Sequence, residues 1–507
     1  MKESRERKNG AILSYVSIIL NTFIQLLYLP FLINKLGDSE YGVYSIVASI
    51  MGYLVIMDFG FGDAIVMYTA KYKEQGKIEE EKKLHGMFLL IFSVIGVIAF
   101  VLGLIISLNA NNIFHSSMTT NEINVMRVLL LILAFNLAIT FPFSVYGSII
   151  SAYERFTFRK IISILNSILQ PLIMIPLLFW GYKSIVLTIV ITLLNIFVLV
   201  SNWYYCRKKL KIKIKYYGFD FKLFREIITY SFYIFLNIIV DKINWGTDQF
   251  VLGIVSGTFA VTLYSIASRL NEMFIKLSSA ISGVLFPKIS KMVAANVSDE
   301  RLSEEFIKTG RLQFIVIFLM SSGLVLFGKE FFILWVGQEY VNAYYIALIL
   351  ILPLSVPLIQ NVGITILQAK NLHKFRSLLY LAVAIFNIIL SVPLAKMYGG
   401  VGAAIGTAIS LIVGNIVIIN IYYYKKAKLN ICLFWKNIFS MVIPIMPLIV
   451  IMIILMNVIK LSGMFKILIF GSVYTVGYCF IIYFFSMNTY EKTIFDRLLI
   501  KFKLKKV

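Results

Sequence analysis

The apolar positions of the chain fall into fourteen long stretches separated by short polar connectors. Each stretch is close to the roughly 20 residues that a helix needs to cross a bilayer. A helix also pairs its own backbone groups, as lipid requires. The pattern therefore predicts an all-α polytopic membrane protein with 14 transmembrane helices. The predicted spans are 11–33, 41–70, 87–107, 126–150, 161–180, 184–205, 226–254, 258–287, 312–328, 341–369, 377–395, 401–424, 437–459 and 465–487.

The connectors alternate between basic and nearly charge-free. Most of the 48 Lys and Arg lie before the first stretch or on every second connector after it. The other connectors hold only Lys35, Lys183, Lys329, Lys396, Lys460 and Lys466. Because short basic loops stay on the cytoplasmic side of a membrane, both termini are predicted to be cytoplasmic. The net charge of +23 is thus a signal of topology, and nucleic acid is not expected as a partner.

The composition, 60% hydrophobic and 14% charged, excludes a soluble fold. The two longest connectors, 206–225 and 288–311, are too short for an independent domain. The first apolar stretch lacks a small-residue cleavage site, so it is interpreted as a retained helix and not as a signal peptide.

A weak internal repeat divides the first twelve helices into two lobes. A shift of 220 residues places Tyr44-Ser45-Ile46 on Tyr264-Ser265-Ile266 and Asn21 on Asp241. Six crossings separate the copies, so the lobes have the same orientation, which is a known transporter plan. The predicted division is a six-helix lobe at 1–205, a basic cytoplasmic linker at 206–225, a second six-helix lobe at 226–424, and two additional helices with a basic tail at 425–507.

Two predicted helices carry the intramembrane charges. On the seventh, one face holds Asn237, Asp241, Asn244, Trp245 and Asp248, next to Lys242; on the eighth, one face holds Arg269, Glu272 and Lys276. Charges at this depth are costly and usually face a partner or a cavity. Asp241 and Arg269 reach similar depths, which predicts an ion pair. Two interpretations stay open: a structural salt bridge, or a polar wall that binds anionic or hydroxyl-rich cargo and includes a titrating carboxylate.

Uncharged polar stripes lie on other helices. The first helix presents Ser14, Ser17, Asn21, Gln25 and Tyr28, and the fourth presents Asn136, Thr140, Ser144, Ser148 and Ser151. Such side chains often join helices to one another, but they could also line a cavity for sugars. The second helix ends in MDFGFGDAIVMYTAKY, where Asp58 and Asp63 lie in the cytoplasmic half. A structural role and a ligand contact are both open for this segment.

Enzyme signatures are missing from the sequence. His85, His115 and His373 are scattered, and no metal-binding or phosphate-cradling motif is present. We therefore expect a protein that is not an enzyme, without cofactor, metal or catalytic residue. Since no nucleotide-binding domain is present, an ion gradient, the membrane potential or the substrate gradient would have to drive transport.

Three segments carry a resemblance to a known family: SYVSIILNTFIQLLYLPFLINKLGDSEYGVYSI, MDFGFGDA and YSIASRLNEMF. On these motifs the chain resembles the Wzx-type oligosaccharide flippases, polysaccharide-biosynthesis exporters of the multidrug/oligosaccharidyl-lipid/polysaccharide (MOP) superfamily. The resemblance implies movement of undecaprenyl-pyrophosphate-linked repeat units across the bacterial cytoplasmic membrane by alternating access, for lipopolysaccharide or capsule synthesis. It also implies cationic cavity residues that meet the pyrophosphate, a role that fits Arg269, Lys276 and Lys242. The absence of arginine from the first two membrane spans differs from the lipid II flippase branch.

The resulting expectations for the site fall into two groups. The substrate-cavity candidates are Arg269, Lys276, Lys242, Asn21, Gln25, Tyr28, Asn237 and Trp245. The coupling or ion-pair candidates are Asp241, Asp248, Glu272, Asp58 and Asp63. Expected partners are a lipid-linked oligosaccharide, membrane lipids, a coupling ion (H⁺ or Na⁺) and a polysaccharide polymerase or chain-length regulator. The alternatives are a multidrug or metabolite exporter of the same superfamily, a membrane enzyme of polysaccharide assembly, and a scaffold in such an assembly.

Overall fold

A computed structural model describes the backbone of residues 2–216, 220–295, 297–370, 372–459, 461 and 463–501. Side chains are described in these ranges except at 2–12, 15, 19, 230, 233–234, 236–237, 240–241, 243–245, 280–281, 283–287, 290, 294, 373–374 and 497–501. All regular elements of the described chain are helices, which confirms the all-α class. The α-helices are α1 (Lys2–Leu36), α2 (Asp38–Leu54), α3 (Phe61–Glu74), α4 (Ile78–Phe114), α5 (Thr120–Ala152), α6 (Phe156–Phe179), α7 (Ser184–Lys208), α8 (Phe221–Val255), α9 (Gly257–Ala294), α10 (Asp299–Val336), α11 (Asn342–Ile359), α12 (Asn361–Ala369), α13 (His373–Leu411), α14 (Ile419–Lys425), α15 (Ile431–Val442), α16 (Met446–Val458), α17 (Gly463–Ile481) and α18 (Thr489–Lys501).

Shorter helical segments adjoin these α-helices. They are 3₁₀ turns at Val55–Asp58 and Gln338–Tyr340, and π-helical segments at Ile412–Ile418 and Ile482–Ser486. Eleven segments of the described chain are long and apolar enough to cross a membrane. One of them, Phe375–Lys425, contains two of the predicted spans. The count of fourteen crossings and the side of the termini stay predictions.

Three of the predicted spans are joined or interrupted by a local change of backbone conformation. In α13 the chain is helical throughout except at Gly399, whose φ of 57° and ψ of −137° turn the backbone between the predicted spans 377–395 and 401–424. Only glycine adopts this conformation without a steric penalty. The predicted span 437–459 is divided into α15 and α16 at a turn that contains Pro444, because proline removes a helix hydrogen bond.

The chain forms two compact units, Met1–Thr262 and Leu263–Val507. This division does not follow the lobe boundary that the repeat predicts at 206–225, since α8 packs on α2 and α3 within the first unit. The repeat-based division stays a prediction.

In the first unit α4 and α5 form the most extensive helix pair. A Cβ on Gly96 would lie 2.6 Å from the carbonyl oxygen of Ala138, and one on Gly103 would lie 2.5 Å from Cβ of Ala134. The missing side chains thus allow the two backbones to approach closely, as small residues do in membrane helices. Packing of this kind holds α4 and α5 in a fixed rotation relative to each other.

Aromatic side chains fill one end of this unit. Phe61, Phe88 and Phe92 are buried together, with Phe61 and Phe88 ring centroids 5.8 Å apart and Phe92 stacked on Phe141. The cluster also takes in apolar residues from the connector that follows α7. It joins α3, α4, α5 and the beginning of α8 into one core.

The second unit is built around α10, which packs against α11, α15 and α17. The rings of Phe306 and Phe434 lie 4.7 Å apart, and the Tyr474 hydroxyl donates to Ser322 at 2.6 Å. The two helices that follow the predicted repeat are therefore attached to the second unit along α10.

Candidate functional site

Three charged side chains form a row along α9. Arg269 Nη1 lies 3.3 Å from Glu272 Oε1, and Lys276 Nζ lies 3.6 Å from Glu272 Oε2. The three side chains are 41%, 43% and 43% exposed. We call Arg269, Glu272 and Lys276 the α9 charge row. It carries two cations and one carboxylate, so a net positive charge is presented on one helix face.

The functional interest of the α9 charge row depends on its predicted depth in the membrane. Arg269 lies roughly 18 Å along the helix axis from Gly257, the first residue of α9. The predicted topology puts Gly257 at the outer edge of a hydrocarbon core about 30 Å thick, and on that prediction Arg269 lies near its middle. Most α9 side chains between Gly257 and Leu270 are buried, whereas Lys276, Leu277 and Ser279 are exposed. Charged groups that are half-exposed at this depth require water or a polar ligand beside them.

The neighbouring helix α8 carries the other charged candidates. Lys242 is partly buried, with its Nζ 3.4 Å from the position that a Cβ on Gly52 of α2 would occupy. Asp248 is 3% exposed. The side chains of Asn237, Asp241, Asn244 and Trp245 lie outside the described residues, so their roles and the predicted pair between Asp241 and Arg269 stay predictions.

A polar seam joins α8 to α2. Ser49 donates to the carbonyl oxygen of Gly246 at 2.7 Å, and the hydroxyls of Tyr53 and Thr247 lie 2.7 Å apart. These bonds and the close approach of Lys242 to Gly52 lie along the same stretch of the two helices. The seam fixes the rotation of α8 on α2 through groups that hydropathy alone does not single out.

The carboxylate of Glu122 accepts hydrogen bonds from residues at the beginnings of three helices, at their predicted outer ends. Glu122 Oε1 accepts from Ser39 Oγ at 2.7 Å and from Thr258 Oγ1 at 2.8 Å. Its Oε2 accepts from the backbone N–H of Thr119 at 2.8 Å. We call this arrangement the Glu122 hub. It ties the beginnings of α2, α5 and α9 together, and Thr262 adds a hydrogen bond to the carbonyl oxygen of Asp38.

The polar stripe of the first helix is partly buried. Asn21 donates to Ser17 Oγ at 3.2 Å, and the Tyr28 hydroxyl donates to Met174 Sδ on α6 at 3.0 Å. Gln25 is partly buried. Tyr28 thus joins α1 to α6, and a ligand contact of Asn21 and Gln25 stays a prediction.

The stripe of the fourth predicted helix mainly joins helices. Asn136 donates to Thr192 Oγ1 at 3.1 Å, and Asn195 donates to Asn136 Oδ1 and to Thr140 Oγ1, both at 2.7 Å. These groups form a network between α5 and α7. Of the two roles considered for this stripe, the geometry of these residues matches the helix-joining one.

The MDFGFGDA segment is a break between α2 and α3. Phe59 and Gly60 both adopt left-handed conformations, with φ of 51° and 73°. Asp58 accepts hydrogen bonds from the backbone N–H groups of Gly60 and Gly62, which stabilise the break. Asp63 is exposed in the first turn of α3. Because a non-glycine residue in the left-handed region is strained, the position of the Phe59 ring is imposed by its surroundings.

A second polar cluster lies at the predicted cytoplasmic end. Tyr153 donates to Glu81 Oε1 at 2.8 Å, and Thr69 lies 3.0 Å from His85 Nε2. Burial and the adjacent Glu81 carboxylate raise the pKa of the Tyr153 hydroxyl, so it stays a donor at neutral pH. The cluster joins α3 and α4 to the turn after α5. Within the described residues no group of His, Cys, Asp and Glu is arranged to hold a metal ion.

A family model described as polysaccharide biosynthesis protein matches residues 7–293, more than half of the chain. The chain belongs to this family. Two relatives are described as glycan-related transporters. A putative O-antigen transporter of Shigella flexneri is 26% identical over 77% of this chain and 91% of its own length. A probable low-salt glycan biosynthesis flippase, Agl15, of Haloferax volcanii is 27% identical over 39% of this chain and 42% of its own length.

Solved structures share the fold. The lipid II flippase MurJ in an inward closed conformation superposes with a TM-score of 0.70 at 19% identity, covering 97% of this chain and 99% of that chain. An inward-facing MATE family multidrug transporter of the MOP superfamily superposes with a TM-score of 0.64 at 13% identity, over 79% and 96%. The family expected from the three sequence motifs is thus confirmed, and so is the MOP-type helical fold.

Several polar groups of the site region were not anticipated. Thr119-x-x-Glu122 is a capping-box spacing that the sequence does display, and the structure forms this box at the N-terminus of α5. The further bonds of Glu122 to Ser39 and Thr258 have no such local signal. The same holds for the seam between α2 and α8.

Proposed function

We propose that the protein is a flippase that moves undecaprenyl-pyrophosphate-linked oligosaccharide repeat units from the inner to the outer leaflet of the bacterial cytoplasmic membrane by alternating access. The similarity to an O-antigen transporter and to a glycan biosynthesis flippase supports a glycan-related flippase. The observation that carries the proposal for this chain is the α9 charge row. On the predicted topology Arg269 offers a binding partner for pyrophosphate near the middle of the bilayer, and Lys276 offers a second one about 10 Å along the helix toward the cytoplasmic side.

Cationic side chains such as those of the α9 charge row lower the free-energy cost of moving a pyrophosphate through the bilayer. A polar group left unpaired in an apolar medium costs several kcal/mol, and a pyrophosphate carries several negative charges. The half-exposed guanidinium of Arg269 and ammonium of Lys276 can replace the water that the pyrophosphate loses. Glu272 between them holds both cations in place and limits their net charge, which favours release on the far side.

Sugars require a different lining. Asn21, Gln25 and the proposed Trp245 offer amide groups and an aromatic face, which suit hydroxyls and C–H surfaces respectively. In the proposed cycle these groups contact the oligosaccharide, while the polyprenyl tail stays in lipid.

The Glu122 hub is assigned a role in alternating access. By the sequence repeat, α9 belongs to the second predicted lobe, whereas α2 and α5 belong to the first. A hydrogen-bonded connection between their outer ends would close that side while the substrate loads from the cytoplasmic leaflet. The proposed topology, with fourteen crossings and both termini cytoplasmic, places the hub outside.

Reconstituted flipping tests the function directly. Proteoliposomes that contain a fluorescent undecaprenyl-pyrophosphate oligosaccharide would report transfer between leaflets. We expect Arg269→Ala to reduce the rate about tenfold, the loss expected for one charge-assisted hydrogen bond. Arg301→Ala is the matched control, since Arg301 is 70% exposed near the N-terminus of α10. Wild-type protein that leaves this lipid in its original leaflet would refute the proposed function. Transport of cationic drugs instead would favour the multidrug alternative.

A further inference from the structure

The connector after α7 has an alternating pattern that topology alone does not require. In KLKIKIK, Lys209, Lys211 and Lys213 are exposed, whereas the apolar residues between them are partly buried. Leu210, Ile212 and Ile214 pack against the buried aromatic cluster of the first unit. The segment is not a regular strand, since Lys209 has helical dihedrals and Lys211 is left-handed with a φ of 55°. The alternation in exposure therefore comes from the anchoring of the apolar side chains. We call the three exposed lysines the lysine ridge.

The ridge is held in place by its backbone. The N–H of Lys215 donates to the carbonyl oxygen of Lys82 at 3.2 Å, and Lys215 Nζ pairs with Glu79. A Cβ on Gly86 would overlap the carbonyl oxygen of Lys215, so glycine is required for this docking. The N–H of Ile212 donates to the carbonyl oxygen of Cys206 at 3.0 Å. These contacts distinguish the ridge from a solvated basic loop.

A groove opens on the same core. It has a volume of about 420 Å³ and is lined by Phe59, Phe61, Phe224, Phe232 and Phe235, with isoleucines and Ser231 between them. This volume lies in the range of small-ligand pockets. The groove residues of α8 recur at helical spacing, and Ile228 and Phe232 are 42% and 50% exposed. We call this feature the phenylalanine groove.

The lysine ridge and the phenylalanine groove are both next to the aromatic cluster of the first unit. Phe61 and Phe224 line the groove, and both belong to or pack against the aromatic cluster that anchors Leu210, Ile212 and Ile214. Exposed Lys222 and Arg225 stand in the first turns of α8, beside Phe224. The groove therefore begins at the predicted cytoplasmic surface, next to a concentration of positive charge.

Two of the acidic groups nearby make other contacts. Glu79 pairs with Lys82 at 2.9 Å and with Lys215, and Asp220 caps α8 by accepting from the Leu223 N–H at 3.0 Å. Glu80 and Glu226 are exposed in the same region. The three ridge lysines, Lys222 and Arg225 outnumber these carboxylates, so the balance of charge near the ridge is positive, which suits a ligand with more than one negative charge.

We propose that the lysine ridge and the phenylalanine groove form a loading site, distinct from the α9 charge row, for an isoprenoid lipid with a pyrophosphate headgroup. The headgroup binds the ridge, and the first isoprene units lie in the groove. The inference rests on the proposed function for the identity of the lipid. In this arrangement the substrate is captured from the inner leaflet before its sugars enter the transport path.

Charge and shape favour this occupant over a bulk phospholipid. A pyrophosphate carries more negative charge than a phosphodiester, so several lysines select it more strongly. A single branched, unsaturated chain presents methyl groups and double bonds to aromatic faces, where dispersion contacts are favourable. A diacyl lipid would leave one of its two chains outside a groove of this size.

Lipid binding to the purified full-length protein, measured by native mass spectrometry, tests the site. The probes are undecaprenyl pyrophosphate and, separately, phosphatidylglycerol. We expect Lys211→Glu/Lys213→Glu to weaken binding of undecaprenyl pyrophosphate at least about tenfold, from an energy of about 1 kcal/mol per lysine at a membrane surface. Lys425→Glu/Lys426→Glu makes the same charge change at exposed lysines of another basic connector and should leave binding within about twofold.

A second pair of variants tests the groove. Ile228→Trp fills it, and Val97→Trp adds similar bulk on α4 at a residue that is 62% exposed and outside the groove. We expect only Ile228→Trp to weaken binding of the pyrophosphate lipid. The neutral pair Lys211→Gln/Lys213→Gln, which keeps the apolar anchors, repeats the ridge test in a protein that folds normally.

The outcomes separate the two proposals. The loading site would be overturned if the protein bound phosphatidylglycerol as tightly as undecaprenyl pyrophosphate. It would also be overturned if Lys211→Glu/Lys213→Glu and the control Lys425→Glu/Lys426→Glu weakened binding of undecaprenyl pyrophosphate equally. Unchanged binding in both Ile228→Trp and the lysine variants would do the same. Ridge-dependent binding by a protein that does not flip the lipid-linked oligosaccharide would instead refute the proposed function and leave the binding site standing.

Discussion

Arg311 and Glu491 form a bidentate ion pair although they lie 180 residues apart in the chain. Arg311 Nε is 2.6 Å from Glu491 Oε1, Nη2 is 2.9 Å from Oε2, and the two side chains are 6% and 0% exposed. Arg311 Nη2 also donates to the carbonyl oxygen of Ser486 at 2.6 Å. The pair attaches α18 to the beginning of α10, so the C-terminal segment is fixed to the core of the second unit.

We expect Glu491→Ala to destabilise the protein strongly, because it leaves a buried guanidinium without its carboxylate. The loss of a buried partner is typically about 3–5 kcal/mol. The melting temperature in detergent would report the change. The double variant Arg311→Met/Glu491→Leu removes both charges and should recover part of the loss; a double variant less stable than Glu491→Ala would contradict this interpretation of the pair.

The Glu122 hub predicts a change in accessibility. Glu122→Ala removes the acceptor shared by Ser39, Thr119 and Thr258, so the outer ends of α2, α5 and α9 should separate more often. A cysteine at Ser117, which donates to the carbonyl oxygen of Gly253 at 2.7 Å, would then react faster with a membrane-impermeant maleimide.

The control for this labelling is Glu339→Ala, since Glu339 is an exposed carboxylate on another predicted outer connector. We expect it to leave the labelling rate unchanged. An identical rate in Glu122→Ala would show that the hub does not hold this end closed.

The same substitution should have opposite effects at two glycines. Gly96→Ala would place its methyl group 2.6 Å from the Ala138 carbonyl oxygen and should lower the melting temperature. Gly323 lies within α10 with no atom within 4 Å of its would-be Cβ. Gly323→Ala should therefore stabilise the protein by about 0.5–1 kcal/mol, the usual gain at a helix interior. A lower melting temperature for Gly323→Ala, or a higher one for Gly96→Ala, would contradict the packing described.

The carboxylate of Glu272 limits the net positive charge of the α9 charge row, because it pairs with both Arg269 and Lys276. Glu272→Gln removes this negative charge and should therefore strengthen binding of undecaprenyl pyrophosphate to the purified protein, measured by native mass spectrometry. Glu304→Gln, at a carboxylate that is 53% exposed on α10, should leave this binding unchanged. Equal or weaker binding in Glu272→Gln would contradict the role given to this carboxylate.

The sequence predicted the helical class and the family correctly for a physical reason. Transfer of a helix into lipid depends on the summed hydropathy of about 20 neighbouring residues, so the spans can be found without tertiary information. The three charges of the α9 row could also be placed on one face, since helical spacing is local. Their exposure could not be predicted, because it depends on what packs beside α9.

The connector 206–225 shows what could be predicted from the sequence and what required the tertiary structure. Its charge was sufficient to assign it to the cytoplasmic side, and its alternation of lysine and apolar residues was visible. That Leu210, Ile212 and Ile214 enter an aromatic core became evident only from the packing of α4 and α8 around them.

By itself the sequence determined that this chain is a helical membrane protein of the polysaccharide biosynthesis family, because hydropathy and family motifs are properties of contiguous residues. The tertiary structure alone decided that Glu122 meets Ser39 and Thr258, and that Arg311 meets Glu491. Such pairs are set by the rotation and depth at which distant helices pack, and close-packed small residues such as Gly96 fix both.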